Sequence, residues 1–312
     1  MSDTAMSSEV VVTVKDLRVT YGDLKAVDGV SMEIHKGEIF GILGPNGAGK
    51  TTTVECIGGL RKWASGSIDV LGVDPRVDRA QTREQVGIQL QTAQLPDKMT
   101  VSEAVNLFAT FYEHPAPVDE LINRLGLAEK LHDKFGKLSG GQKQRLSIAL
   151  ALIGNPQVAI LDELTTGLDP QARRDTWKLI EDIRDHGVTV ILVTHFMEEA
   201  QYLCDRVCLI DHGRVITTDS PAHLSADFGQ KISFTVDSGH SADQVAAQLA
   251  AIATVTEAVV REGRIFIEGR GDVVAPVIET LVTQGVVPHE TRVEQSTLDD
   301  VFVALTQEAE GQ

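Results

Sequence analysis

The stretch GPNGAGKT, residues 44–51, decides the fold. Its spacing, GxxxxGK[ST], builds a cradle for phosphate. Gly44, Gly47 and Gly49 let main-chain N–H groups turn inward around an anion, with Pro45, Asn46 and Ala48 completing the loop. Lys50 is expected to reach the β and γ phosphates of a nucleotide, and the Thr51 hydroxyl to meet Mg²⁺. The flanking residues agree. GVSMEIHKGEIFGILG, residues 29–44, predicts a strand, a turn at Lys36–Gly37 and an apolar strand ending in glycine. A helix is expected from Lys50 through Thr52 and beyond, so strand, loop and helix follow in the order of an α/β nucleotide-binding unit.

A second stretch is consistent with that chemistry. QVAILDE, residues 157–163, is an apolar strand ending in two carboxylates. Charge at a buried strand end is costly without a partner, and a cation supplies one. Asp162 is assigned to Mg²⁺ through water, and Glu163 is the candidate general base for an attacking water. Alone, the pair would read as a solvated acidic strand end; the upstream loop tips the balance.

A third stretch raises a question. KLSGGQKQR, residues 137–145, sets Ser139, Gly140 and Gly141 ahead of a helix, with Gln142 at the third position. As local structure this is a capping box, S-x-x-Q. The paired glycines are poor for helix stability, and they expose N–H groups to something that approaches closely. One chain thus carries two anion-holding stretches.

The rest of the chain organises around these. VVVTVKDLRVTY (10–21) alternates as a strand. TVSEAVNLFATFY (100–112) opens with a capping box, Thr100 to Glu103, and 117–136 is expected to continue as helix. VTVILVT (188–194) is apolar throughout, as a buried parallel strand should be, and PQARRDTWKLIEDIRDHG (170–187) is the helix before it, ending at glycine. RVCLIDHGRVITT (206–218) predicts a hairpin turning at His212–Gly213. From residue 229 the predicted order is strand, helix, strand, strand, helix, strand, helix, a ferredoxin-like βαββαβ unit with one extra helix. Capping boxes are expected at Ser241–Gln244 and Thr297–Asp300, and SPAHLSADFG (220–229) as a linker. The expected domains are 8–225, with a helical part at about 95–155, and 229–308.

Composition excludes some partners. The formal charge is −17, which disfavours nucleic acid. No apolar run reaches the ~18 residues of a bilayer span, so if this protein serves a membrane, another chain must provide the crossing. Cys56, Cys204 and Cys208 have no zinc spacing and are expected to be buried thiols in a reducing cytosol.

In the order GPNGAGKTT, LSGGQ, ILDE and LVTH, residues 10–220 resemble the ATP-binding subunit of an ABC transporter. The resemblance implies a RecA-like core, an antiparallel β subdomain and a helical subdomain. It also answers the question of two anion sites. In this family two copies pair head to tail, and the phosphate loop of one and the LSGGQ of the other close on one ATP. It further implies roles for Tyr21 as the residue stacking on adenine, for Gln91 as the glutamine that senses Mg²⁺ and the membrane partner, for Asp169 of TTGLDP in the D-loop, and for His195 as the switch histidine contacting γ-phosphate. Gln89 and Gln94 are rivals to Gln91, whose register fits best. Leu164 stands where many relatives have proline, which is expected to loosen the turn after Glu163. LQTAQLPDKMTVSEAVNLFATFY and TLDDVFVALT resemble exporters of the daunorubicin-resistance type, with a separate permease chain and an additional C-terminal domain. The implied place is the cytoplasmic face of the membrane, and the implied cargo a drug, lipid or other hydrophobic molecule. The competing expectation is a soluble ABC ATPase acting on ribosomes or nucleic acid without a permease. Such proteins usually carry two cassettes, a coiled-coil insertion or zinc cysteines, and this chain has none of them.

Overall fold

The computed structural model describes residues 9–89, 95–227, 229–237 and 239–310. The chain divides into two compact units, with the boundary between Thr218 and Asp219.

The first unit begins with β1 (Val10–Tyr21), β2 (Leu24–His35), β3 (Ile39–Leu43), α1 (Lys50–Ile57), β4 (Ser65–Val70), α2 (Arg79–Gln85) and β5 (Val86–Gln89). A helical stretch follows: α3 (Val101–Ala109), α4 (Val118–Arg124) and α5 (Gly140–Leu152). The unit closes with β6 (Val158–Asp162), α6 (Pro170–Asp185), β7 (Thr189–Thr194), α7 (Met197–Leu203), β8 (Arg206–Asp211) and β9 (Arg214–Asp219). β2, β1 and β4 form an antiparallel sheet. The central sheet has the order β5-β6-β7-β3-β8-β9, and its strands from β5 to β8 run parallel. Every residue of β3, β6 and β7 is buried. That is why these strands read as unbroken apolar runs rather than alternating ones. The C-terminal ends of the central strands carry the loop after β3, the carboxylates at the end of β6 and the histidine after β7.

The second unit holds α8 (Pro221–Asp227), β10 (Gln230–Val236), α9 (Ala242–Leu249), β11 (Val255–Arg261), β12 (Arg264–Gly269), α10 (Val274–Thr283), β13 (Pro288–Gln295) and α11 (Leu298–Glu310). Its sheet order, β11-β12-β10-β13, is antiparallel throughout. This is the ferredoxin-like arrangement. Ile232, Phe234, Ile265 and Ile267 form its buried face with Val245, Leu249, Val277 and Leu281 of the two helices.

Several expectations need correction. Residues 117–136 are not one helix: α4 stops after Arg124, Gly126 takes φ 65°, and two short 3₁₀ turns follow. The expected linker holds α8. Ser241 is the N-cap of α9 but its hydroxyl makes no capping bond. Asp237 instead organises the preceding turn, accepting from Gly239 N at 3.2 Å and pairing with His240 Nδ1 at 2.8 Å. The boxes at Thr100–Glu103 and Thr297–Asp300 do form. All three thiols are buried and unbridged, and burial pushes Cys56 up to about 12 and Cys208 up to about 11.

Candidate active site

The loop after β3 is shaped by glycine at two points where no other residue fits. At Gly44 (φ 149°) a Cβ would lie 2.0 Å from the Ile210 carbonyl oxygen, and at Gly49 (φ 99°) 2.3 Å from that of Ala26. The loop therefore runs against the main chain of β8 on one side and β2 on the other. Gly213 N donates to Ala48 O at 3.1 Å, and Asp28 N to Gly213 O at 2.7 Å, so the β8–β9 hairpin braces the same loop. His212 and Gly213 both have positive φ, as a tight hairpin turn requires. Gly49 is the N-cap of α1, and the free N–H groups of that helix start point toward any anion held there.

Tyr21, Leu24, Ala26, Asn46, Gly47, Gly49, Lys50, Thr51, Thr52 and Glu163 line one open cleft of about 500 Å³. Lys50 is 5% exposed, and its Nζ donates to Gly44 O at 2.8 Å and Pro45 O at 2.9 Å. Burial lowers its pKa, opposed by the charges of Glu163 and Asp162. Tyr21 is 43% exposed on the cleft wall, and the Arg61 guanidinium lies 5.2 Å from its ring centroid, itself paired with Glu55.

Asp162 ends β6 fully buried, and burial pushes its carboxyl up to about 6 while its bond to Thr51 opposes the shift. Thr51 Oγ1 donates to its Oδ2 at 3.0 Å. Its Oδ1 is buried with no hydrogen-bond partner. Among the described residues no cluster of three or more His, Cys, Asp or Glu side chains converges as a metal cage. One carboxylate, one hydroxyl and an unsatisfied oxygen beside a phosphate loop suit Mg²⁺ carried in on phosphates rather than caged by protein. Glu163 follows with φ 49°, a left-handed conformation that strains a residue with a side chain. Its N–H donates to Val193 O of β7 at 2.9 Å. His195, just past β7, sets Nδ1 3.2 Å from Glu163 Oε1, and its ring packs on Phe196 at 4.1 Å between centroids. The structure thus brings Lys50, Thr51, Asp162, Glu163 and His195 to one sheet edge. Leu164, expected to loosen the turn, is fully buried beside them.

Ser139, Gly140, Gly141 and Gln142 do not line this cleft. They open α5, with Gln142 N donating to Ser139 Oγ at 3.3 Å and Ser139 N to Gln142 Oε1 at 2.9 Å. Ser139 and Gly140 are exposed. Asp169 caps α6, accepting from Gln171 N and Ala172 N at 3.0 Å each, and these backbone bonds lower its pKa. Gln91 and Gln94 lie outside the described residues. Gln89 is described, and its Oε1 accepts from Asp162 N at 3.2 Å. The cleft also takes in Leu24 and Ala26, and Arg61 backs Tyr21, none of them singled out from sequence. Their strand and turn positions carry no motif that marks them.

A family model described as ABC transporter matches residues 27–166. The daunorubicin resistance ATP-binding protein DrrA3 of Streptomyces coeruleorubidus is 33% identical, covering 98% of this chain and 97% of that protein. The Nod factor export ATP-binding protein I of Burkholderia thailandensis is 44% identical over 65% of this chain and 69% of that protein. Among solved structures, a dimeric ATP-binding cassette in a post-hydrolysis state with ADP and Pi has a TM-score of 0.61 at 27% identity, over 67% of this chain and 98% of its own.

Proposed function

This chain belongs to the family of ABC transporter ATP-binding proteins, and from that premise we propose that it is the ATPase subunit that drives an exporter, working as a pair with a separate permease. The chain binds nucleotide and hydrolyses ATP. One observation carries the mechanism: Lys50, Thr51, Asp162, Glu163 and His195 meet at the edge of a single cleft.

Each group has a part. The N–H groups of Gly47 and of Gly49 to Thr52 hold the phosphates, and Lys50 exchanges its bonds to Gly44 O and Pro45 O for β and γ phosphate oxygens. Tyr21 stacks on adenine, its ring backed by Arg61. Thr51 and Asp162, with Gln91, would hold Mg²⁺, which would supply positive charge against the phosphates. Glu163 orients a water and takes its proton as the oxygen attacks the γ phosphorus in line. The new bond is water oxygen to phosphorus; the bond broken joins phosphorus to the β-phosphate oxygen, and ADP leaves. His195 holds the Glu163 carboxylate through Nδ1 and turns its other ring nitrogen to γ-phosphate.

The other half of the site comes from a second copy, arranged head to tail. Ser139, Gly140, Gly141 and Gln142 offer an exposed helix start that the chain's own cleft does not use. Asp169 of the D-loop lies at the same junction. ATP bridging both surfaces drives the pair together, and hydrolysis releases it. No helix among the described residues is long and apolar enough to cross a membrane, so the crossing is assigned to the permease and this chain to the cytoplasmic face beside it. Two relatives are named for export of Nod factor and for daunorubicin resistance, which supports outward transport of a drug, lipid or other hydrophobic cargo. The match to the second runs the whole chain, C-terminal unit included.

The test is Glu163→Gln. Turnover should fall by about 100-fold or more, and an ATP-bound pair should accumulate on size exclusion. Parental ATPase activity should rise faster than linearly with protein concentration. An isolated subunit that splits ATP at full speed at every concentration would overturn the shared site.

A further inference from the structure

Tyr21 ends β1 at a two-residue hairpin, with Leu24 of β2 opposite and Gly22 at φ 58° in the turn. A ring at such a tip, 43% exposed, is fixed by packing over only part of its surface. A cation adds to that support. The chain turns back after α1 at Gly59 (φ 68°), and the Leu60 and Arg61 amides both donate to Glu55 O, at 2.8 and 3.1 Å. The Glu55 carboxylate also takes the Arg61 guanidinium through Nε. Main chain and side chain of Arg61 are thus held by one residue of α1. With side chains 35% and 20% exposed, Arg61 and Glu55 are partly shielded from water, and so better held than a fully solvated pair. The guanidinium carbon lies 5.2 Å from the Tyr21 ring centroid, inside the ~6 Å reach of a cation–π contact. Tyr21 lines the cleft and Arg61 does not, so the cation lies on the side of the ring away from the cleft.

We propose that Arg61, fixed by Glu55, is a positioning residue for the base of the nucleotide: its guanidinium holds the Tyr21 ring at the angle that leaves the opposite face free for adenine. This rests on the reading of Tyr21 as the stacking residue given above. It makes α1 the link between the two ends of the ligand. The start of the helix carries Lys50 and Thr51 for the phosphates, and its second turn carries Glu55, which acts on the base through Arg61 and Tyr21. A ring already set against the cation loses less freedom when the base arrives, so affinity is gained with no added contact to the ligand. The cation also draws density from the ring, and the free face becomes less repulsive to the π face of a purine. The gain belongs to the base alone, because Arg61 is no part of the cleft wall.

The experiment measures binding of ADP and of inorganic pyrophosphate to the full chain by calorimetry. ADP carries the base without the γ-phosphate proposed to bridge two copies, so pairing does not enter. In Arg61→Met, which keeps an aliphatic stem and loses the charge, ADP affinity should fall about two- to fivefold, with pyrophosphate affinity unchanged. Tyr21→Leu should weaken ADP on its own, and in that background Arg61→Met should cost nothing further. If Tyr21→Leu binds ADP as tightly as the parent, the stacking assignment has failed and the proposal with it. If Tyr21→Leu weakens ADP while Arg61→Met does not, only the role of Arg61 has failed. Equal losses of ADP and pyrophosphate in Arg61→Met, or its full loss repeated in the Tyr21→Leu background, would also overturn the proposal, since the effect would not then pass through the ring.

Discussion

The starts of α1 and α5 both combine glycine with an anion-holding motif, and they differ in what demands the glycine. At α1 the demand is internal: Gly44 and Gly49 have positive φ, and a Cβ on either would run into a main-chain carbonyl. At α5 the chain itself makes no such demand. Neither Gly140 nor Gly141 has positive φ, and the nearest heavy atom to an added Cβ would be 3.9 Å away at Gly140 and 3.6 Å at Gly141, ordinary contact distances. A monomer would be served as well by alanine, and better by helix propensity. The monomer thus gives no reason for glycine at α5; the proposed pairing, with a second copy's nucleotide against this helix start, would supply one.

That contrast can be broken experimentally. The largest effect should come from Gly44→Ala, which forces a Cβ onto Ile210 O. Stability should drop by about 3 kcal/mol or more and nucleotide binding should vanish, read by thermal melting and nucleotide titration. The double change Gly140→Ala with Gly141→Ala should do the opposite to the monomer. Melting should show a gain of about 0.5–1 kcal/mol per site and unchanged ATP binding, while steady-state ATPase activity collapses. Equal damage to stability from both sets would erase the distinction. Ser139 divides the local role from the outward one. Ser139→Ala should cost about 1 kcal/mol through the lost cap. Ser139→Asp should keep the cap and the stability, yet lose ATPase activity by setting a negative charge toward phosphate.

The smallest effect is a control in a group neither helix start uses. Glu199 of α7 is fully buried, accepts from Trp177 Nε1 at 3.0 Å, and burial raises its pKa. Its folded pKa lies above the unfolded one, so the stability this group adds is present below the unfolded value and fades as pH rises through the folded one. Glu199→Gln keeps the acceptor for Trp177. It should leave melting at pH 4 nearly unchanged and raise it at pH 8, with ATP binding untouched.

Much of this was legible in advance where one residue type has one physical use. The alternation of 10–21 marks β1, because a half-buried strand needs period two. The glycine-lysine-threonine run marks the turn into α1, and two carboxylates after an apolar run mark the end of β6. The βαββαβ order of the second unit follows from turn residues falling between short apolar stretches. Legibility failed where length was too short for a period to show, as in the seven residues of α7 or of α8. It failed at Gly126, where one left-handed residue ends a helix that the apolar spacing would have continued. At Gln89, polarity in a strand was visible, but that its side chain would reach Asp162 N depends on the register of β5 against β6.

The bracing of the phosphate loop by Ile210 and Gly213 also bears on the order of events during synthesis. The eight motif residues leave the ribosome early, but the walls that shape them, β8 and its hairpin with β9, are among the last parts of the first unit to be made. Until they emerge, the loop has only its β2 wall, at Ala26, to lie against. A chain released before Arg206 would carry the whole motif without the β8 wall at Ile210 or the hairpin bond from Gly213.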